Sequence, residues 1–165
     1  MQIIDTHAHW YPQEFIDLLD REASANGGKM ERNQKGVPVF SLPGVLRKWA
    51  MPPLMVEPGL VLKEMDKRGI ETYALGLTNP MVYWAPAAFG LKLAQTWNEA
   101  SSALCRKHPG RFIGTIQLPM QAPDLAVKEL ERAAKLPGMS AVYLATHING
   151  KNLGEKEFWP VYERA

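Results

Sequence analysis

The chain has 165 residues, enough for one ordinary domain with a core, and its 46% hydrophobic and 22% charged residues are typical of a globular protein. Its net charge is +2 and its basic residues are scattered, which argues against nucleic-acid binding or an anionic-membrane surface. No apolar run approaches the roughly 18 residues of a membrane span and no secretory signal is visible, so we expect a cytoplasmic protein.

The first quarter of the chain predicts a strand, a helix and a long excursion. Residues 2–6 form an apolar run typical of a short buried strand, and residues 12–23 carry apolar side chains at helical spacing. From 25 to 57 repeated glycines and prolines break the pattern around one strand-like stretch, VPVFSL. Its aliphatic and aromatic content argues against disorder, and an insertion of this length is often functional.

After the excursion, helices and strands alternate. The pattern predicts helices near 58–69, 90–110, 122–138 and 155–165, and strands near 70–77, 111–118 and 140–146. No two strands are joined by a hairpin, which is the signature of βαβ units and a parallel sheet. The single cysteine, Cys105, excludes an internal disulfide, fits a reducing compartment and lies in a helical pattern, where we expect a buried, inert thiol.

Polar side chains gather where each predicted strand ends, the edge at which parallel α/β folds bind ligands. At the first strand these are His7 and His9, which the period of two puts on one face, about one pleat apart. Two imidazoles at that separation can bind one metal ion, and Asp5, predicted on the same face, can orient an imidazole as an acceptor. A chance pair of histidines is the alternative, but this position in the fold favours a metal site.

Several segments resemble one family. IDTHAHWYP resembles the first-strand motif of the amidohydrolase superfamily of metal-dependent (β/α)8 barrels. EMDKRGIE, AQTWNEASSALCRKHPGRFIGTIQLPMQAPDLAVKELERA and ATHINGKNL resemble its branch of aminocarboxymuconate-semialdehyde decarboxylase and related aromatic-acid decarboxylases. They cover most of residues 57–155, whereas residues 10–56 show little resemblance. The implied fold is α/β: residues 1–165 as the N-terminal half, four βα units, of one TIM-barrel domain with an excursion at 25–57.

The resemblance also implies site residues. His7 and His9 match the two first-strand metal ligands of the family, whose divalent metal is usually zinc. Arg47 is the nearest match to an arginine that contacts the substrate carboxylate, with a solvated surface arginine as an equal alternative. His147 matches a position near the site that is not a usual ligand, and a loop residue satisfied by the backbone is as good an interpretation. The family's other metal ligands and its catalytic histidine lie on later strands, so we expect the catalytic residues beyond Ala165 and this stretch alone to be inactive.

The implied reaction is the non-oxidative decarboxylation of an unsaturated or aromatic carboxylic acid, a small-molecule partner. Hydrolysis of an ester, lactone or amide by a metal-bound hydroxide uses the same histidines and is the alternative. A hypothesis of another class is a half-barrel scaffold without chemistry. A half barrel leaves two sheet edges and apolar strand faces uncovered, so we also expect association, for example as a homodimer.

Overall fold

The computed structural model describes residues 2–165, whose regular elements alternate as the sequence predicts after the excursion. In chain order the elements are β1 (Ile4–His9), α1 (Gln13–Glu22), β2 (Lys29–Arg32), β3 (Pro38–Leu42), β4 (Leu46–Ala50), α2 (Pro58–Arg68), β5 (Thr72–Gly76), α3 (Ala87–Lys107), β6 (Phe112–Ile116), α4 (Pro123–Ala133), β7 (Met139–Val142), β8 (His147–Ile148), β9 (Lys151–Asn152) and α5 (Trp159–Arg164). Among these residues, no helix combines the length and apolar character that a membrane crossing requires.

The four predicted parallel strands form one sheet in sequential order, β1-β5-β6-β7, and every pair is parallel. The prediction of βα units is therefore confirmed. The boundaries differ at both ends of the series: β1 continues through the two histidines to His9, whereas β7 ends at Val142 and leaves 143–146 outside the sheet. Within residues 2–165, β1 and β7 each pair with one strand only and form the two edges of the sheet. At the β1 edge, Ile3 and Ile4 are more than 40% exposed.

The excursion forms a second, antiparallel sheet in the order β2-β3-β4. The predicted strand-like stretch is its central strand, β3, and Phe40 of β3 is fully buried against the ring of Trp84. Gly36 and Gly44 lie in the two turns with φ of 76° and 75°, a region that glycine enters without steric cost. No strand pairing joins this sheet to the parallel one among the described residues, so side chains and loops hold the two together.

Helix α3 packs against strand β6 of the parallel sheet and against α1 and α4. Trp97 of the 21-residue α3 is fully buried, as are the predicted apolar residues of α1. Cys105, also on α3, is buried as expected, and burial raises the pKa of its thiol, which makes it a poor nucleophile at neutral pH.

A buried polar network fastens α3 to the end of β6 and to α4. The side chain of Asn98 accepts a hydrogen bond from the backbone N–H of Gln117 (2.8 Å) and donates to the carbonyl of the same residue (3.0 Å). It also donates to Glu129 Oε1 at 2.7 Å, a carboxylate that is 1% exposed and paired with Arg132. The backbone at the carboxyl end of β6 is thus fixed by a side chain from a neighbouring helix.

Candidate metal centre

The two histidines lie side by side at the carboxyl end of β1. Their rings meet edge to face, with centroids 4.7 Å apart; His7 is exposed and His9 is partly buried. His9 stands in register with Gly76, the last residue of β5. The arrangement has the short imidazole separation that a shared metal ion requires.

The ring of His9 is oriented by the backbone of the neighbouring strand. Its Nδ1 lies 3.3 Å from the carbonyl oxygen of Gly76, which also accepts the backbone N–H of Trp10. A carbonyl only accepts, so this contact favours the tautomer with its proton on Nδ1 and leaves the Nε2 lone pair free. Burial lowers the pKa of His9, the carbonyl contact opposes this, and the adjacent His7 lowers it further. The ring is therefore held in the neutral form that binds metals.

Asp5 does not lie where the sequence predicts. Asp5 pairs with Tyr73, and Ala8 pairs with Leu75. Three residue steps along β1 therefore span two steps along β5, which means that β1 contains a bulge. Tyr73 and Leu75 share a face of β5, which puts Asp5 on the face opposite His9. The Asp5 carboxylate instead accepts the backbone N–H of His7 at 2.9 Å. The acceptor predicted for an imidazole is, at His9, the Gly76 carbonyl.

Tyr143 is a neighbour of the histidines that the sequence analysis missed. It follows β7, and its ring stands edge-on to that of His9, with centroids 6.1 Å apart. A Cβ at Gly76 would come within 2.8 Å of this ring, so the absence of a side chain at that position makes room for it. Burial raises the pKa of Tyr143, which keeps the phenol neutral beside the imidazole.

Arg47 lies on strand β4 of the excursion. It is exposed, and no hydrogen bond or ion pair within residues 2–165 engages its guanidinium. The next residue, Lys48, has φ of 45°, and its N–H donates to Ser41 Oγ at 3.2 Å, where the β3–β4 register shifts. The antiparallel sheet thus carries Arg47 on an irregular, exposed segment without bringing it against the histidines.

His147 opens the short β8–β9 hairpin and lines a cavity of about 800 Å³. The other walls are the β3–β4 turn, the loop after β5 and the residues after β7: Leu42, Pro43, Val45, Leu46, Asn79, Pro80, Met81, Tyr83, Trp84, Ala145, Asn149 and Gly150. No charged side chain lines it. A smaller cavity of about 270 Å³ is lined by Asp5, His7 and His9 together with residues of α2. Asp5, His7 and His9 thus share one cavity, His147 lines the other, and Arg47 lines neither.

Two further polar groups near these strand ends stand out. Gln117, just past β6, is fully buried, and neither its side-chain oxygen nor its nitrogen has a hydrogen-bond partner within residues 2–165. Tyr11, two residues past His9, is equally buried, and its hydroxyl contacts Trp49 and Asn79. The sequence marks Gln117 as a polar residue at a strand end, but only the fold reveals the contacts of Tyr11.

The described residues bring two imidazoles together but no larger set of candidate ligands. No group of three His, Cys, Asp or Glu side chains among residues 2–165 is placed to hold an ion. His7 and His9 offer two adjacent imidazoles, one of them neutral and fixed by a carbonyl, which fits two ligands of a divalent metal.

Comparison with known proteins identifies relatives over the whole described length. A family model described as Amidohydrolase matches residues 4–165. The 2-amino-3-carboxymuconate-6-semialdehyde decarboxylase of Dictyostelium discoideum is 24% identical over 161 residues, 97% of this chain and 45% of that protein. The gamma-resorcylate decarboxylase of a Rhizobium species is 40% identical over 90 residues, 54% of this chain and 26% of that protein. The chain spans less than half the length of these curated relatives.

Solved structures share the fold. The apo form of IDCase from Metarhizium anisopliae superposes with a TM-score of 0.81 at 23% identity, covering 99% of this chain and 47% of that one. The 5-carboxyvanillate decarboxylase of Novosphingobium aromaticivorans, in complex with manganese and a nitrobenzoic acid, gives 0.73 at 23% identity, with the same coverage. The α/β fold is thus the N-terminal half of a barrel of this kind, as the sequence predicts.

Proposed function

The chain belongs to the amidohydrolase family, and from that premise we propose that it forms the N-terminal half of a metal-dependent decarboxylase acting on an aromatic or unsaturated carboxylic acid. The observation that carries the proposal is the pair of adjacent imidazoles at the end of β1, with His9 neutral and oriented by Gly76. The relatives named as decarboxylases support the reaction, and the manganese in one of the similar structures supports a divalent metal.

In this proposal His7 and His9 hold the metal through ring nitrogens, and zinc is the ion we expect. The metal, when bound, supplies Lewis-acid chemistry at oxygen atoms of the substrate or of water. The Gly76 carbonyl keeps the His9 proton on Nδ1, and the buried setting keeps the ring from being protonated at neutral pH. Tyr143, a neutral phenol beside His9, closes this side of the site.

The substrate contacts are assigned to the excursion and to the loop after β7. Arg47 is exposed with its guanidinium unpaired within residues 2–165, which leaves its planar fork available for a carboxylate. His147 borders the uncharged cavity, whose walls include the rings of Tyr83 and Trp84. Such a lining suits the ring of an aromatic acid. The carboxylate of that acid requires a positive charge from outside the cavity lining.

Metal and product analysis on the full-length protein that carries this chain tests the proposal. We expect about one divalent ion per chain in the wild type, most of it lost in His7→Ala, and CO2 release from 2,6-dihydroxybenzoate or a similar acid. His108→Ala, at the end of α3, is the matched control and should keep its metal. Equal metal content in the wild type and His7→Ala would contradict the ligand assignment, and ester or amide hydrolysis without CO2 release would establish the hydrolase alternative.

The half-barrel assignment has a separate test. β1 and β7 each lack a second strand partner within residues 2–165, and Ile3 and Ile4 beside the β1 edge are exposed. Expressed alone, residues 1–165 should therefore associate, as a homodimer or larger, and show no turnover. A cooperatively melting monomer in sedimentation and thermal unfolding would refute the expected association through the uncovered edges and support a self-sufficient scaffold.

A further inference from the structure

Tyr11 occupies a junction between the two sheets. It lies two residues past His9, its side chain has no exposed surface, and its backbone N–H donates to the carbonyl of Met55 at 2.7 Å. Its ring extends between the parallel sheet and the excursion. A buried hydroxyl in such a position must find hydrogen-bond partners or lose stability.

The hydroxyl of Tyr11 has a partner on each side. It accepts a hydrogen bond from the indole Nε1 of Trp49, on β4, at 2.7 Å. It donates a short hydrogen bond to the backbone carbonyl of Asn79, in the loop that follows β5. One phenol therefore joins the end of β1, the edge strand of the excursion and the loop after β5. Since a phenol offers one donor and acceptor capacity, both roles are in use.

The link is specific to β4, because the other side-chain tie of the antiparallel sheet, from Arg32 of β2 to Asp20 of α1, lies at the opposite edge of that sheet. Within residues 2–165, the bond from Trp49 is the one side-chain hydrogen bond that ties β4 to the segments around the parallel sheet. Arg47 precedes Trp49 by two residues, and the intervening Lys48 has φ of 45°, so the backbone between them is not a regular strand. The position of Trp49 therefore sets the position of the backbone from which the Arg47 side chain extends.

We infer that Tyr11 is a positioning residue: its hydroxyl fixes the strand that carries Arg47 relative to the histidines of β1. The role of Arg47 in this inference rests on the proposed function. The link that the Tyr11 hydroxyl makes between Trp49 and Asn79 does not depend on it. The hydroxyl of Tyr11 is bonded to Trp49 and Asn79 rather than to an imidazole, so its loss should loosen the excursion without removing the metal.

The test compares wild type, Tyr11→Phe and Tyr162→Phe in the full-length protein. Tyr11→Phe keeps the ring and removes both hydrogen bonds. Tyr162→Phe, in α5, removes a hydroxyl that donates to a carbonyl, that of Leu153, at 2.9 Å and is the matched control. In Tyr11→Phe we expect amide hydrogen exchange in 46–50 to accelerate by roughly tenfold, with β5 and β6 unchanged. Metal content should stay equal, and KM for the acid should rise by roughly tenfold, more than kcat falls.

A second variant guards against misfolding and identifies the partner. Trp49→Phe removes the donor from the other side and should give the same exchange pattern in 46–50, and the double variant should accelerate exchange there no more than Tyr11→Phe alone. Unchanged exchange in 46–50, additive effects or loss of metal in Tyr11→Phe would each overturn the inference. A wild type without metal or decarboxylation would refute the proposed function instead, and the exchange measurement would still decide whether Tyr11 holds β4.

Discussion

Replacement of Asn98 by alanine tests the polar network that fixes the end of β6. The side chain is fully buried and makes three hydrogen bonds, two with the backbone of Gln117 and one with the carboxylate of Glu129. Each neutral bond contributes about 0.5–1.5 kcal/mol and a bond to a charged group about 1.5–3 kcal/mol, and the partners left behind are buried. We expect Asn98→Ala to lower the free energy of unfolding by about 3–5 kcal/mol, a large share of the usual 5–15 kcal/mol.

Urea denaturation measures this loss. With a slope of about 2 kcal/mol per M, the midpoint should fall by roughly 1.5–2.5 M. Asn98→Asp separates the network from simple volume loss, because it preserves the shape but removes the donor and sets a second carboxylate against Glu129; it should be at least as destabilising. Asn152→Ala, exposed on β9, is the control and should cost no more than about 0.5 kcal/mol. A loss below about 1 kcal/mol in Asn98→Ala would refute this account of the network.

Three further predictions follow from the site and its surroundings. Gly76→Ala places a methyl within 2.8 Å of the Tyr143 ring and should lower the free energy of unfolding by about 1–3 kcal/mol. The control Gly59→Ala, whose methyl would meet nothing within 4 Å, should not, and equal melting temperatures of the two variants would contradict this. Burial raises the pKa of Tyr11 and of Tyr83 above that of unfolded tyrosine, so stability should fall as pH rises above about 10, and ionisation of all five tyrosines before unfolding would count against it. Arg47→Lys keeps the charge but loses the planar fork, and kcat/KM should fall by roughly ten- to a hundredfold. A change within about twofold would mean that Arg47 is a solvated surface residue without a role in substrate binding.

The parallel sheet was predictable because its strands are apolar runs that alternate with amphipathic helices. β2 and β4 were not, since Lys29–Arg32 and Leu46–Ala50 carry no clear hydrophobic alternation and exist through their backbone bonds to β3. The same limitation explains why the strand that carries Arg47 was not predicted. Short antiparallel strands are specified by their partners more than by their own side chains.

The histidine pair was predictable from its spacing, but its surroundings were not. The period of two places His7 and His9 together, and it also places Asp5 with them, which the bulge in β1 prevents. Tyr143 and Gly76 come together with His9 only through the strand order β1-β5-β6-β7. Contacts between residues far apart in the chain depend on register and on local irregularities, which a single sequence does not reveal.

The bulge in β1 sets the phase of the metal motif. The three residue steps from Asp5 to Ala8 match two steps of β5, and the extra residue turns Asp5 to the face opposite His9, whereas a regular ladder would put the same two residues on one face. Transfer of the His-Ala-His sequence into a regular strand of another barrel would accordingly carry the two imidazoles but reverse the side on which the preceding aspartate stands. A designer who grafts this motif must move the irregular strand with it, as a unit of at least Asp5 to His9.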